Sequence, residues 1–320
     1  MKKKISKWLS ILLPLFLGAF LIVYQYNQFT AEQLTEMKGY FKNADYFYIF
    51  LSLIIAVFGF ASRAYRWKFS IEHMGYSCHF KNNFMAVCTG YFMNLTIPRS
   101  GEITRAVVVK KYEGIPFDKA FGTIVAERIV DLVLFLLFVL TAFILQFNVL
   151  KTFIFETIPV EKLIILAVIA FIGFIVFMLL WIYSKWKFIL FMKEKLAGLM
   201  EGMLSIVKME KKWPFLFHSL FIWFTYILMF YAAIFALEET STISLGAIVT
   251  AFVIGSLAIG FTNSGFGAFP LLIAQIFLLY QIPETVGTAF GWLVWTSQTA
   301  LTIVLGTLSF LLLPLLNKNK

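Results

Sequence analysis

Charge is scarce in this sequence: Asp, Glu, Lys and Arg make up 14% of its 320 residues. Soluble domains carry about 25% charged residues, so the two soluble domains that this length would otherwise allow are excluded. Cysteine is nearly absent. Cys78 and Cys88 form no CxxC or Cys/His spacing, which excludes a disulfide scaffold and a zinc ribbon. Histidine occurs three times, at His73, His79 and His218, with His79 beside Cys78 by chance pairing. No metal or cofactor is expected. The chain also lacks a Ser/His/Asp arrangement, an HExxH and a Walker sequence, so no catalytic set is expected and the chain reads as a non-enzyme.

Apolar residues fill the space that charge leaves. They make up 61% of the chain, against roughly 45–50% in soluble domains. A membrane-crossing helix needs about 20 mostly apolar residues. Six segments qualify: Trp8–Tyr26, Tyr46–Phe69, Phe117–Phe147, Leu163–Tyr183, Trp213–Leu237 and Val286–Leu313. Two further apolar regions are broken. Asn82–Lys111 is interrupted at Ile97-Pro98-Arg99-Ser100-Gly101, and Ile243–Tyr280 at Thr262-Asn263-Ser264-Gly265-Phe266-Gly267. Such Pro and Gly clusters end helices, and broken backbone at membrane depth must be buried in protein or line a wet cavity. The expected fold is an all-α polytopic membrane protein, one domain over residues 1–320. It has about six full spans plus two re-entrant hairpins, or eight helices if the broken regions cross fully.

The net charge of +10 does not point to nucleic acid, because no soluble module carries a basic stripe interleaved with aromatics. It follows the positive-inside rule. With the N-terminus in the cytoplasm, that side receives Lys2, Lys3, Lys4 and Lys7. It also receives Arg63, Arg66, Lys68, Lys81, Lys110, Lys111, Lys119, the lysines from Lys185 to Lys212, Lys318 and Lys320. The outside receives only Lys38, Lys42, Lys151 and Lys162. Both termini are thus expected in the cytoplasm of a cell that holds the chain in its inner or plasma membrane. The stretch Trp8–Tyr24 after Met1-Lys2-Lys3-Lys4 is read as an uncleaved first span, since no small-x-small site follows it.

The broken regions share an order of landmarks. Ser100-Gly101, Tyr112, Ile115-Pro116 and Ala120-Phe121-Gly122 in one correspond to Ser264-Gly265, Tyr280, Ile282-Pro283 and Ala289-Phe290-Gly291 in the other. Three full spans lie between them, which inverts the second copy. Residues 82–146 and 243–314 are therefore read as an inverted pseudo-repeat, a plan recurrent in transporters.

Several charges fall where hydrocarbon is expected. Glu102, Glu127, Arg128 and Asp131 lie inside apolar stretches, where a charge costs about 2.5–3.5 kcal/mol on insertion scales. Arg128 stands about 16 Å into its span at 1.5 Å per residue. Glu127 and Asp131 share a helix face, and Arg128 and Asp131 are spaced to pair. Two readings stay open: a structural ion-pair network, or a headgroup or proton site. Arg105, with Glu102, is a partner for the cluster, and Arg99 at the first tip offers a planar donor fork to a phosphate. Arg63 and Arg66 are expected to snorkel from a span end to lipid phosphates. Asn94, Asn263 and Ser264 are expected to satisfy freed backbone groups at the tips, and Gln275 and Gln298 to bond between helices.

These residues resemble the lysylphosphatidylglycerol synthase transmembrane region, also called the flippase-like domain family. The family pattern of Asn, then Pro, Arg, Gly-Glu and Arg is similar to Asn94-Leu95-Thr96-Ile97-Pro98-Arg99-Ser100-Gly101-Glu102-Ile103-Thr104-Arg105. Its Glu-Arg-x-x-Asp resembles Glu127-Arg128-Ile129-Val130-Asp131, and its Arg-Trp resembles Arg66-Trp67. The later Gly-Gly-x-Gly with a following Glu is replaced by Ser264-Gly265-Phe266-Gly267-Ala268-Phe269-Pro270, without an acid. The basic residue common in the family's last span has no counterpart near Trp295-Thr296-Ser297-Gln298.

The resemblance implies lipid translocation between leaflets, of an anionic or modified phospholipid or a glycolipid. The headgroup would meet Arg66, Asn94, Arg99, Glu102, Arg105, Glu127, Arg128, Asp131, Asn263 and Ser264. The full synthases carry a soluble aminoacyl-transferase domain that is not seen in this sequence, so synthesis of lysyl-lipid is not expected of it. Expected partners are membrane lipids, with a second copy or a lipid-modifying enzyme left open, and no nucleic acid. The alternatives are a small-solute or proton-coupled transporter, an intramembrane lipid-modifying transferase, and a non-transporting scaffold.

Overall fold

The computed structural model describes residues 2–147, 160–184, 186–187, 189–193 and 206–318. Among them every regular element is helical. In chain order these are α1 (Lys2–Gln28), α2 (Ala31–Asn43), α3 (Tyr46–His73), α4 (Phe80–Thr96), α5 (Gly101–Glu113) and α6 (Phe117–Leu145). There follow α7 (Val160–Tyr183), α8 (Lys212–Ile234), α9 (Leu245–Phe261), α10 (Ala268–Leu278) and α11 (Glu284–Leu316), with a 3-10 turn at Glu238–Thr240. By length and composition α3, α6, α8 and α11 can each cross a membrane, and α1 and α7 occupy the other two expected spans. Lys151, Lys185, Lys195 and Lys320, among the lysines that orient the chain, lie outside the described residues.

Both broken regions fold as pairs of short helices. Pro98 has no N–H and stops α4. Arg99 follows at φ 61°, and the Asn94 side chain accepts from the Gly101 N–H at 2.7 Å. Asn94 thereby satisfies one of the free donors at the start of α5. In the second region Thr262 accepts from the Gly265 N–H at 3.1 Å, and α10 begins after Gly267 at φ 71°. The outer ends match as well. A left-handed residue, Gly114 (φ 71°) or Gln281 (φ 62°), closes each pair, and Ile115-Pro116 or Ile282-Pro283 opens the next long helix.

α11 shows how the two hairpins are arranged. Near its start Gly287 lies against Ala274 and Gly291 against Pro270, while Glu284 accepts from Gln275 at 3.1 Å. Near its middle the Trp295 indole donates to the Ser264 carbonyl at 2.8 Å. Further along, Gly306 lies against Phe92 and Cys88, and Asn317 exchanges bonds of 3.0 Å with Asn82. One helix of 33 residues, about 50 Å long at 1.5 Å per residue, thus follows the α9–α10 hairpin from base to tip and the α4–α5 hairpin from tip to base. The tips meet there: Asn263 donates to the Leu95 carbonyl at 3.1 Å and Ser264 to the Asn94 carbonyl at 3.2 Å.

Two features depart from the expected fold. The segment between the first two spans is helical, as α2, opened by a capping box in which Thr30 and Gln33 satisfy each other's backbone donors. The second span also runs beyond Phe69 to His73. That extension leaves Arg63 and Arg66 two to three turns from its end, buried at 3% and 0% exposure. Their expected snorkelling to lipid is therefore incorrect: both guanidiniums turn inward to carboxylates of α6. Uncompensated burial of either would be prohibitive.

The core has two large parts. One is built from α8, α9, α10 and α11 around Phe230, Phe252, Phe277 and Phe290. The other lies under the first hairpin around Trp67, Ile71, Ala86, Ala106, Ile115 and Ile124. This second core backs the charged cluster, because three of its helices, α3, α5 and α6, supply every charged member.

Candidate functional site

Asp131 is the centre of the cluster. Arg66 approaches it with both terminal nitrogens, Nη1 to Oδ1 at 2.6 Å and Nη2 to Oδ2 at 3.1 Å. Arg63 Nη1 reaches Oδ2 at 3.1 Å, and Arg128 Nη1 stands 3.6 Å from the same oxygen. One turn away Glu127, fully buried, sits 3.6 Å from Arg66 Nε and 3.1 Å from Arg105 Nη2. Glu102 completes the set at 2.9 Å from Arg128 Nη2. The i, i+4 spacing of Glu127 and Asp131 puts both acids on the face of α6 that meets α3 and α5. The i, i+3 spacing of Arg63 and Arg66 presents both bases from α3.

Aromatic and hydroxyl groups frame these charges. The Arg105 guanidinium stacks 4.2 Å over the Trp67 ring, and the Trp67 indole is held by Thr123 at 2.9 Å. Arg63 Nη2 donates to the Tyr226 hydroxyl at 3.1 Å, which is 2.9 Å from the Tyr91 hydroxyl. Ser219 accepts from Arg66 at 3.2 Å. A small cleft of about 10 Å³, room for about one water, adjoins the cluster, lined by Arg63, Arg105 and Arg128 with Tyr91, Asn94 and Gly101. No acid lines it.

Four guanidiniums face three carboxylates here, which leaves one positive charge over. The donors are also in excess. Among the described residues, Nε of Arg63, Arg66, Arg105 and Arg128 and Nη1 of Arg105 are buried without a hydrogen-bond acceptor, against two carboxylate oxygens, Glu102 Oε2 and Glu127 Oε1, without a donor. A buried donor left unpaired costs about 1–3 kcal/mol, and more when charged. The chemistry that relieves this cluster is an oxyanion.

The expected site residues separate into groups. Arg66, Glu102, Arg105, Glu127, Arg128 and Asp131 come together, and Asn94 lines the adjoining cleft. Asn263 and Ser264 do not reach the cluster; they bind the backbone of the opposite tip. Arg99 is exposed at the first tip and has no ion pair among the described residues. Arg63, Trp67, Tyr91 and Tyr226 belong to the site without having been expected there. The i, i+3 pairing of Arg63 with Arg66 is the one sequence signal that would have placed Arg63.

A family profile for the lysylphosphatidylglycerol synthase TM region matches residues 9–306, nearly the whole chain. The chain belongs to that family. A UPF0104 membrane protein of Methanocaldococcus jannaschii is 38% identical over 109 residues, 33% of this chain and 32% of that protein. The match thus spans about a third of that relative's length. No solved structure matches the chain. In this member of the lysylphosphatidylglycerol synthase TM region family, the arginines and acids form one connected network, about 10–21 Å from the nearer ends of α3 and α6 and within about 6 Å of the start of α5, counting 1.5 Å per residue. Among the described residues no group of His, Cys, Asp and Glu is arranged to hold a metal ion.

Proposed function

We propose that this protein is a lipid translocase that carries an anionic or modified phospholipid, or a glycolipid with an anionic headgroup, between leaflets. The observation that carries the proposal is the excess positive charge of a buried network whose Arg105 donors lack acceptors beside a small arginine-lined cleft, which would widen to admit a headgroup. In hydrocarbon such a network is costly, and a monoanionic phosphate would satisfy both charge and donors. Arg presents a planar fork suited to phosphate oxygens, and three such forks line the cleft. The acyl chains would stay in lipid, so only the headgroup needs a polar route. Two hairpins meeting tip to tip offer a division between the two halves of that route.

Membership in the lysylphosphatidylglycerol synthase TM region family agrees with a lipid substrate. The translocase is read as moving the lipid, not making it, with both termini in the cytoplasm. The charge distribution supports that orientation. Transport would be passive, or coupled to protons through Glu102, Glu127 or Asp131. A solute transporter would keep its site sealed from lipid, whereas the Arg128 side chain is 41% exposed on a helix face otherwise apolar.

The test is a leaflet-resolved assay in proteoliposomes with fluorescent phosphatidylglycerol. Wild type should move the probe faster than empty vesicles. Arg105→Lys, which keeps the charge and loses the fork, should lose most of that rate while remaining monodisperse. Equal rates for wild type and empty vesicles, across anionic, aminoacylated and glycosylated probes, would refute the proposal.

A further inference from the structure

Every ion pair of the network that does not involve Arg128 is shut inside the protein. Glu102 of α5 and Arg128 of α6 pair at 2.9 Å, with side chains 23% and 41% exposed. Their surroundings are apolar and outward-facing. Ile103 and Val107 on α5, and Val125 and Leu132 on α6, are exposed at 44% or more. Val125, Arg128 and Leu132 follow i, i+3, i+7 spacing and so form one stripe of α6. In a bilayer this seam faces lipid tails, where an exposed ion pair is costly unless polar groups visit it. Glu102 is also poorly satisfied, since its Oε2 is buried without a donor. Behind the pair lies the arginine cleft, with Arg128 and Gly101 in its wall.

We infer that the α5–α6 seam is the sideways portal to the cleft and that the Glu102–Arg128 ion pair is its latch, with the lipid phosphate replacing Glu102 on Arg128. Resting on the translocase reading, this assigns the entry route and its control. At the portal the exchange is one anion for another on the same guanidinium; the excess positive charge is neutralised when the phosphate moves on to Arg105 and Glu102 returns to Arg128. The apolar stripe takes the acyl chains while the headgroup passes.

The experiment uses the full chain in phosphatidylcholine vesicles with fluorescent phosphatidylglycerol as the probe. Ile103→Cys with Val125→Cys, joined by a flexible reducible bismaleimide, should lose most of its translocation and regain it on reduction. Each single-cysteine variant treated alike should keep its rate; Cys78 and Cys88 are buried. Glu102→Gln, which weakens the latch, should raise the rate, with folding followed by its melting temperature. A cross-linked protein that still translocates overturns the portal. A Glu102→Gln rate equal to wild type, or reduced like that of Arg105→Lys, overturns the latch, while the translocase reading stands as long as wild type outpaces empty vesicles. Wild type no faster than empty vesicles brings down both.

Discussion

The two hairpins have one shape and opposite chemistry. The α4–α5 segment contains Lys81, Arg99, Glu102, Arg105, Lys110, Lys111 and Glu113, whereas Leu245–Leu278 across α9 and α10 contains no charged residue. Both are short helix pairs broken at a tip with a non-glycine residue at positive φ, Arg99 in one and Ser264 in the other. The first is docked by charge: Arg105 and Glu102 bind residues of α6. The second is docked by shape, with glycines of α11 and α1 pressed against Pro270, Ala274 and Gly267. A shared backbone plan therefore does not require shared chemistry. The polar work falls on one half, and the other half supplies a close-packed counterpart whose hydroxyl and amide groups join the tips.

That contrast breaks most sharply at Asp131. Asp131→Asn removes the charge that balances Arg63, Arg66 and Arg128. Losing one partner of a buried pair costs about 3–5 kcal/mol. The α3–α6 contact beside which the first hairpin docks should loosen, seen as a large fall in melting temperature in detergent and as new proteolysis near α3 and α6. The second hairpin should fail for a steric reason instead. Gly267 has φ 71°, and a Cβ there would strike the Gly18 backbone of α1. Gly267→Ala should cost about 1–3 kcal/mol from the left-handed conformation, more if α1 cannot move, with no dependence on salt or pH.

The junction between hairpins is weaker than either dock. Asn263→Ala removes the bond to the Leu95 carbonyl, a loss of about 0.5–1.5 kcal/mol for one hydrogen bond. Hydrogen exchange should rise at both tips together, and a rise at only one would show that they are not coupled. The smallest effect belongs outside both hairpins. Gly39 in α2 has no neighbour that a Cβ would meet, so Gly39→Ala should stabilise by about 0.4–1 kcal/mol. A destabilised Gly39→Ala would mean that α2 is packed against something further.

The element pattern was readable because hydrocarbon imposes simple rules on long apolar runs. All six expected spans are helices, and the breaks at Pro98 and at Gly265-Phe266-Gly267 fall where helices end. α2 was overlooked although Thr30 and Gln33 carry a capping-box spacing, because a polar segment between spans reads as loop. The acids of the site were legible, since Glu127 and Asp131 stand inside an apolar run. Arg63 and Arg66 were misjudged, because a base near a span end has two outlets, lipid phosphate or a buried acid. Hydropathy cannot choose between them.

By itself the sequence determined that the chain must be helical and membrane-embedded, and that its inner charges need partners: backbone and charge cannot stay unsatisfied in hydrocarbon. Which partners they take was decided only by the tertiary structure. Asp131 meets bases 65 and 68 residues away, and the two tips join across 168 and 170 residues. Such pairings depend on how helices pack side by side, and no local pattern along the chain encodes that distance.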